Sequence, residues 1–420
     1  MQEILSILIF VIVMIAIMTE KIHRTAAALT GAAALMVLHI LSVDQAIGYI
    51  DFNTIGVLVG MMLFVGVIKQ SGLFEYASVK AVKLAKGDPW RILVAFVILT
   101  AVLSAFLDNV TTVLLVGPMS ITIARMLGID PIPMLLCQIF ASNIGGTATL
   151  IGDPPNIMIG SKAGLSFMDF ITNTGGICVV ILVVMLVGMK FLYGKNMSAD
   201  PEKIQEIMVL DAKKQIRDKT LMIKALVMIV FIVLGFVLHS QLGYESSVVA
   251  LTAGGVMMVI GKQDVEMVVH EVEWPTILFF IGLFIVVGGM VQTGVIKQLA
   301  ELMINVTAGH PVATMMVLLW ASAILSSFLD NIPFVATLIP LVIAMGNSGV
   351  DIAPLWWCIS LGACLGGNGT LIGASANVVL SSIATREGYP ITFGKYMKTG
   401  FPVMLLSVAI AMVYILIRYA

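Results

Sequence analysis

Apolar runs, each close to the length that crosses a lipid bilayer, follow one another along the chain with short polar segments between them. A helix needs about 20 apolar residues to span the hydrocarbon core. Runs of this kind lie at 3–18, 25–42, 54–70, 132–160, 172–193, 220–239, 245–261, 275–291, 354–384 and 399–417. Two further stretches, 90–127 and 311–346, are interrupted midway by Asp108-Asn109 and Asp330-Asn331. As single helices they would overshoot the bilayer, and as pairs of crossings they would place Asp-Asn at a surface. As re-entrant hairpins they place it near the midplane. Segment 73–86, with Lys80, Lys83 and Lys86, has the pattern of an amphipathic helix lying in the interface, and polar segment 195–219 that of a surface helix.

The chain matches itself when shifted by 222 residues. Gly60, Gly66, Gln70 and Gly72 meet Gly282, Gly288, Gln292 and Gly294, and Phe106-Leu107-Asp108-Asn109 meets Phe328-Leu329-Asp330-Asn331. After one lost residue, Gly145-Gly146, Thr149-Leu150-Ile151-Gly152 and Asn156 meet Gly366-Gly367, Thr370-Leu371-Ile372-Gly373 and Asn377. The expected organisation is a membrane repeat over 1–194, a cytoplasmic linker over 195–219 and a second repeat over 220–420. Each repeat has five crossings, one of them broken, plus a hairpin. Five is odd, so the second repeat enters the membrane inverted, as in alternating-access carriers whose site lies at the midplane between repeats.

Charge sets the orientation. With both termini outside, all of the 23 basic residues except Lys162, Lys297 and Arg418 fall on the cytoplasmic side. Composition agrees: 60% of the 420 residues are apolar, 11% are charged, and the mean hydropathy is +1.07. A soluble domain needs a larger polar skin. The fold class expected is therefore an all-α polytopic membrane protein in a prokaryotic inner (plasma) membrane, with the lipid bilayer as its solvent. A soluble enzyme, a nucleic-acid binder and a disordered chain are excluded, and a net charge of −1 offers nucleic acid no attraction. Cys137, Cys178, Cys358 and Cys364 sit in apolar runs and show no disulfide or metal-ligand spacing.

Two pairs of motifs carry chemistry. The hairpin tips hold Ser104, Asp108, Asn109, Thr111 and Thr112 in one half, and Asp330 and Asn331 in the other. A carboxylate at the bilayer centre is costly, and beside amide, hydroxyl and carbonyl oxygens it makes a cradle that holds Na⁺ or exchanges a proton. The competing reading is local, since Asp is an ordinary helix N-cap. The second pair is the helix breaks. Gly145-Gly146-Thr147 and Thr149 through Asp153 and Asn156 form one, and Gly366-Gly367-Asn368 and Thr370 through Ser375 and Asn377 the other. Broken backbone at membrane depth lines a cavity or is buried in protein. The half-helix N-terminus suits an anion and the freed carbonyls a cation. Asp153 meets Ala374 across the repeat, so the two halves are expected to do different jobs. The histidines form no cluster. Trp356-Trp357 has the look of an interfacial anchor, and Glu271 and Glu273 that of solvated loop residues.

At these motifs the chain resembles the ion transporter superfamily of secondary carriers, and most of all its arsenite-permease and P-protein-like branch. That superfamily also holds dicarboxylate and citrate transporters and sodium/proton antiporters. The resemblance implies a hairpin tip that binds Na⁺ with the following break, here at Ser104, Asp108, Asn109 and Gly145. At the second tip Asn331 is followed by Ile332-Pro333, so the hydroxyl of a second sodium site is missing. The Ser-Asn-Thr pair with which dicarboxylate carriers hold substrate is missing too. A homodimer with an elevator-like transport domain is implied by the resemblance alone.

The function expected is a Na⁺- or H⁺-coupled secondary carrier for a small anion, oxyanion or organic anion, and not an enzyme. Asp108, Asn109, Asp330, Asn331, Gly145 and Gly366 would serve ion coupling. Thr111, Thr112, Thr147, Thr149, Asp153, Asn156, Asn368, Thr370, Ser375 and Asn377 would serve substrate. The alternatives are a Na⁺/H⁺ antiporter without an anion substrate and a passive channel. No cofactor beyond the coupling ion is expected. Without a Gly-Lys-Ser/Thr nucleotide loop, a primary pump would need an ATPase partner.

Overall fold

The computed structural model describes residues 1–19, 21–307 and 309–420, with Asn196 described by its backbone alone. The first half opens with α1 (Gln2–Thr19), α2 (Arg24–Val37) and the short α3 (Val43–Tyr49), which starts at a Ser42/Gln45 capping box. Next come α4 (Phe52–Lys69), α5 (Leu73–Leu84) and a hairpin of α6 (Pro89–Phe106) and α7 (Asn109–Leu127). A broken helix follows, α8 (Ile132–Thr147) and α9 (Pro154–Ala163). Then α10 (Phe167–Phe170) runs through a wider π turn at Ile171–Gly175 into α11 (Gly176–Tyr193). The linker carries α12 (Pro201–Met208) and a single tight turn at Ala212–Gln215, which is less helix than its polar pattern suggests.

The second half repeats that order: α13 (Lys219–Leu238), α14 (Ser246–Gly261), α15 (Val265–His270), α16 (Trp274–Gln292), α17 (Val295–Val306), the hairpin α18 (Pro311–Phe328) and α19 (Asn331–Asn347), the broken helix α20 (Ala353–Gly366) and α21 (Ser375–Arg386), and α22 (Phe393–Tyr419). Among the described residues nine helices are long and apolar enough to cross a membrane. Four short helices, α3, α10, α15 and α17, lie outside the expected elements.

The halves exchange partners. α4 packs on α14, and α2, the counterpart of α14, packs on α16. Small residues make both crossings close. A β-carbon on Gly254 would lie 2.7 Å from the Gly60 carbonyl oxygen, and one on Gly282 would lie 2.7 Å from the Ala28 backbone. Such residues drive helix association in lipid by letting backbones touch. Of the nine long helices α4 and α16 are accordingly the most enclosed, 67% and 72% buried, against 22% for α1 and 28% for α13. The outer helices expose Ile12 and Phe231, as residues facing lipid tails would.

The depth of the hairpin tips follows from what they touch. The Ser104 hydroxyl donates to the Ser142 carbonyl at 2.7 Å, and Thr149 in the break donates to the tip carbonyl of Ala105. The α6–α7 tip therefore sits level with the break. The break has 16 residues of helix on one side and 10 on the other, roughly 24 Å and 15 Å of helix. Trp356 and Trp357 depart from expectation. Both are buried, and Trp357 packs edge-on against Phe170 with ring centroids 5.2 Å apart, so they are core residues and not interfacial anchors.

Candidate functional site

Four helix N-termini converge where the tips meet the breaks: those of α7, α9, α19 and α21. Three carry their own carboxylate at the N-cap, namely Asp108, Asp153 and Asp330. The fourth has Ala374, which offers no side-chain cap. The positive end of a helix dipole favours a carboxylate, and this is how the fold tolerates three aspartates at depth. Asp108 caps α7 through Thr111, whose backbone nitrogen donates at 2.8 Å and whose hydroxyl donates to the other carboxylate oxygen. Asp330 accepts from the backbone nitrogen of Ile332 at 3.1 Å. Asp153 instead accepts from Asn331 across the repeat boundary, at 3.3 and 3.2 Å.

Asp108, Asn109, Asp153, Asn331 and Ser375 line one small central chamber of about 20 Å³, room for roughly one water or one small ion. Deeper, a chain of buried amides joins the halves. Asn109 donates to Asn143 at 3.4 Å, and Asn143 donates to Asn368 and Asn377 at 2.9 and 3.0 Å. Ser360 donates to Asn156 at 2.7 Å. Two buried groups of this region have no hydrogen-bond partner, Thr112 Oγ1 and Asn368 Nδ2.

Other expected substrate residues have their hydrogen bonds spent on the backbone. The Thr149 hydroxyl goes to the Ala105 carbonyl, that of Thr370 to the matching Ser327 carbonyl, and that of Thr147 to Asn143. Asn156 and Asn377 clamp their own breaks, donating at 2.9 Å to the Thr149 and Thr370 carbonyls respectively. The physical reason is proximity. Breaking a helix frees carbonyls within reach of any nearby donor, and a buried carbonyl without one is costly. Thr149 and Thr370 therefore hold the tips against the breaks, Asn156 and Asn377 brace the breaks themselves, and Thr147 bonds within α8. Thr149→Val or Thr370→Val should lower stability by about 1 kcal/mol. A thermal melt of each variant would show it, with the apparent affinity for transported solute little changed. Gly145 and Gly366, expected at the ion, are points of closest approach between hairpin and broken helix.

Two charged residues join the site unexpectedly. Arg24 donates from Nη1 to Asp330 Oδ2 at 3.2 Å and to Ser375 Oγ at 2.8 Å, and from Nη2 to Thr276 at 3.2 Å. Its guanidinium also stands 5.2 Å from the centre of the Phe279 ring. Glu273, expected to be solvated, lines the central chamber and accepts from Thr276 at 3.0 Å. The repeat carried a signal for it. Glu273 is the 222-shifted counterpart of Asp51, which accepts from Thr54 in the same way at 2.9 Å. Four carboxylates thus surround one guanidinium. Among the described residues no three Asp, Glu, His or Cys side chains close tightly enough to hold a metal ion.

Two larger cavities flank this centre. One of about 320 Å³ shares Arg24 and Ser375 with the central chamber and also touches Asp330. The other, about 340 Å³, is bordered by Asp51, Lys162 and Lys297. The two have no lining residue in common.

A family model described as citrate transporter (CitMHS) matches residues 14–362. The whole chain is 41% identical to an uncharacterized transporter of Mycobacterium tuberculosis and covers 99% of it. Over 96% of its length it is 34% identical to the P protein of Homo sapiens, of which it spans 58%. Among solved structures, the YdaH transporter of Alcanivorax borkumensis shares the fold, with a TM-score of 0.61 over 93% of this chain and 95% of that one, at 15% identity. With the family model matched over residues 14–362, a 41% identical transporter relative and its apolar helices, the chain belongs to the CitMHS citrate-transporter family within the ion transporter superfamily, and is an integral membrane transporter.

Proposed function

We propose that the protein is a secondary active carrier coupled to Na⁺ or H⁺, moving a small anion, oxyanion or organic anion by alternating access between two inverted repeats. The observation that carries this reading is the charge imbalance at the centre. Asp108, Asp153, Asp330 and Glu273 surround Arg24 alone, at the level of the helix breaks. Helix dipoles offset part of that charge. The rest calls for protons or cations, which is what a coupling site takes up and releases. Asp108 and Asp153, which no basic residue pairs among the described residues, are the coupling carboxylates. Separate cavities without a shared wall favour alternating access over an open pore. The membrane would be the bacterial plasma membrane with both termini outside.

A central chamber sized for one ion also supports a Na⁺/H⁺ antiporter that carries no anion. One experiment separates the readings. The protein is reconstituted in vesicles with an imposed Na⁺ or pH gradient, and uptake of labelled citrate, phosphate and arsenite is followed. The carrier reading expects accumulation above equilibrium that collapses when an ionophore dissipates the gradient. Cation exchange without solute accumulation would establish the antiporter, and flux that only runs downhill would establish a channel.

A further inference from the structure

We propose that Arg24, Ser375 and the α21 N-terminus form the anion receptor of this carrier, and that Asp330 is its internal competitor, occupying the guanidinium until a substrate oxyanion displaces it. This rests on the carrier reading above.

Three independent features meet at one place. Arg24 is the single guanidinium among the described site residues and lines the 320 Å³ cavity; its side chain is 28% exposed, against 14% for Asp330. That volume is at the lower end of pockets that take small ligands. The walls are apolar, with Phe328 and Val379, and the polar groups His23, Arg24, Asp330 and Ser375 are few, as an orienting site requires. Second, α21 has 12 residues, and its N-terminus is the one of the four converging N-termini that carries no acidic residue of its own. In the other half the matching position is Asp153. Third, Asp330 Oδ2 accepts from both Arg24 and Ser375, at 3.2 and 3.0 Å. A carboxylate oxygen already makes the two bonds that a substrate carboxylate or inorganic oxyanion would make, and guanidinium geometry matches such groups.

Exchange at this site makes coupling obligatory. When an oxyanion takes Arg24 and Ser375, Asp330 loses its counter-charge in a low-dielectric setting. Leaving a buried carboxylate unpaired is strongly unfavourable. A Na⁺ or a proton must then join Asp330, so each anion brings at least one cation.

The test uses purified full-length protein and thermal melting with citrate and with phosphate as probes, alongside a separate NaCl and pH series. At least one of the two anions should raise the melting temperature of the wild type. Asp330→Asn, which removes the competitor, should bind that anion roughly tenfold more tightly. Arg24→Gln should lose the anion shift. So should Ala374→Asp, which gives α21 its own carboxylate as in the other half. The double variant Arg24→Gln/Asp330→Asn removes both charges of the pair, keeps the fold and shows no anion shift. An anion shift that survives in Arg24→Gln or Ala374→Asp overturns the proposal. So does weaker binding in Asp330→Asn, or no shift by either anion in both wild type and Asp330→Asn. The NaCl and pH series reports on Asp108 and is retained in Arg24→Gln. If that series is flat while the anion results hold, the coupling role given to Asp108 in the carrier reading fails and the receptor stands.

Discussion

Asp108→Asn should reduce gradient-driven uptake by about a hundredfold while leaving a folded, membrane-inserted protein. The two outcomes have separate physical causes. Asn is as good an N-cap as Asp, and its side-chain oxygen can still accept from the Thr111 backbone nitrogen, now 2.8 Å from the carboxylate. The helix start is therefore preserved. What is lost is the negative charge, and at Asp108 that charge has no basic partner among the described residues. It is held by Thr111 and by the α7 dipole alone, beside the one-ion chamber. Asp330 differs, because Arg24 neutralises it. The measurement is uptake in vesicles with and without the imposed gradient, together with a melting curve that verifies the fold. Asp108→Asn vesicles that still concentrate solute would remove Asp108 from the coupling role.

The membrane architecture was legible because lipid imposes one requirement on every span, and the repeat doubled the signal. The hairpins at 90–127 and 311–346 were legible for the same reason: an Asp-Asn pair at mid-length can be reconciled with lipid only by a turn. The pattern does not mark α17, although the lysines of its counterpart α5 mark that helix. The solvent face of α17 is marked by Lys297, Gln298 and Glu301, too few charges to stand out in an apolar stretch. Arg24 and Glu273 do not stand out locally as site residues, because each has an adequate explanation at the end of a span; only the repeat, through Asp51, points to Glu273. Their inward aim comes from the packing of α2 against α16, a contact between residues some 250 positions apart that no local pattern encodes. Thr149 and Thr370 are the opposite case. A hydroxyl at a helix break is a donor near any bound solute, but the freed carbonyls of the hairpin tip are nearer. Only the three-dimensional pairing of Thr149 with Ala105 and Thr370 with Ser327 decides between them.

Gly145→Ala and Gly366→Ala should each destabilise the protein by about 2 kcal/mol and weaken cation protection before the fold itself is lost. A β-carbon on Gly145 would meet the Ala101 carbonyl oxygen and lie 2.7 Å from its α-carbon. One on Gly366 would lie 2.5 and 2.8 Å from the same atoms of Ala323. Both obstacles are backbone, so no rotamer change relieves them. The hairpin limb itself must move off the broken helix. That limb carries the tip, and the tip is tied to the break by the Ser104–Ser142 and Thr149–Ala105 bonds in one half and by Ser326–Ala363 in the other. A shift of the limb therefore opens the cradle around Asp108 or Asp330 before any span unfolds. Melting curves in low and high NaCl would check this, with a smaller salt-dependent gain in the glycine variants than in the wild type. The companion Ala101→Gly should not rescue Gly145→Ala, because the clash is with the main chain and not the methyl group. Full rescue, or a Gly145→Ala protein that melts and responds to Na⁺ like the wild type, would mean that hairpin and broken helix do not touch here. The helix breaks would then have no mechanical link to the acidic tips.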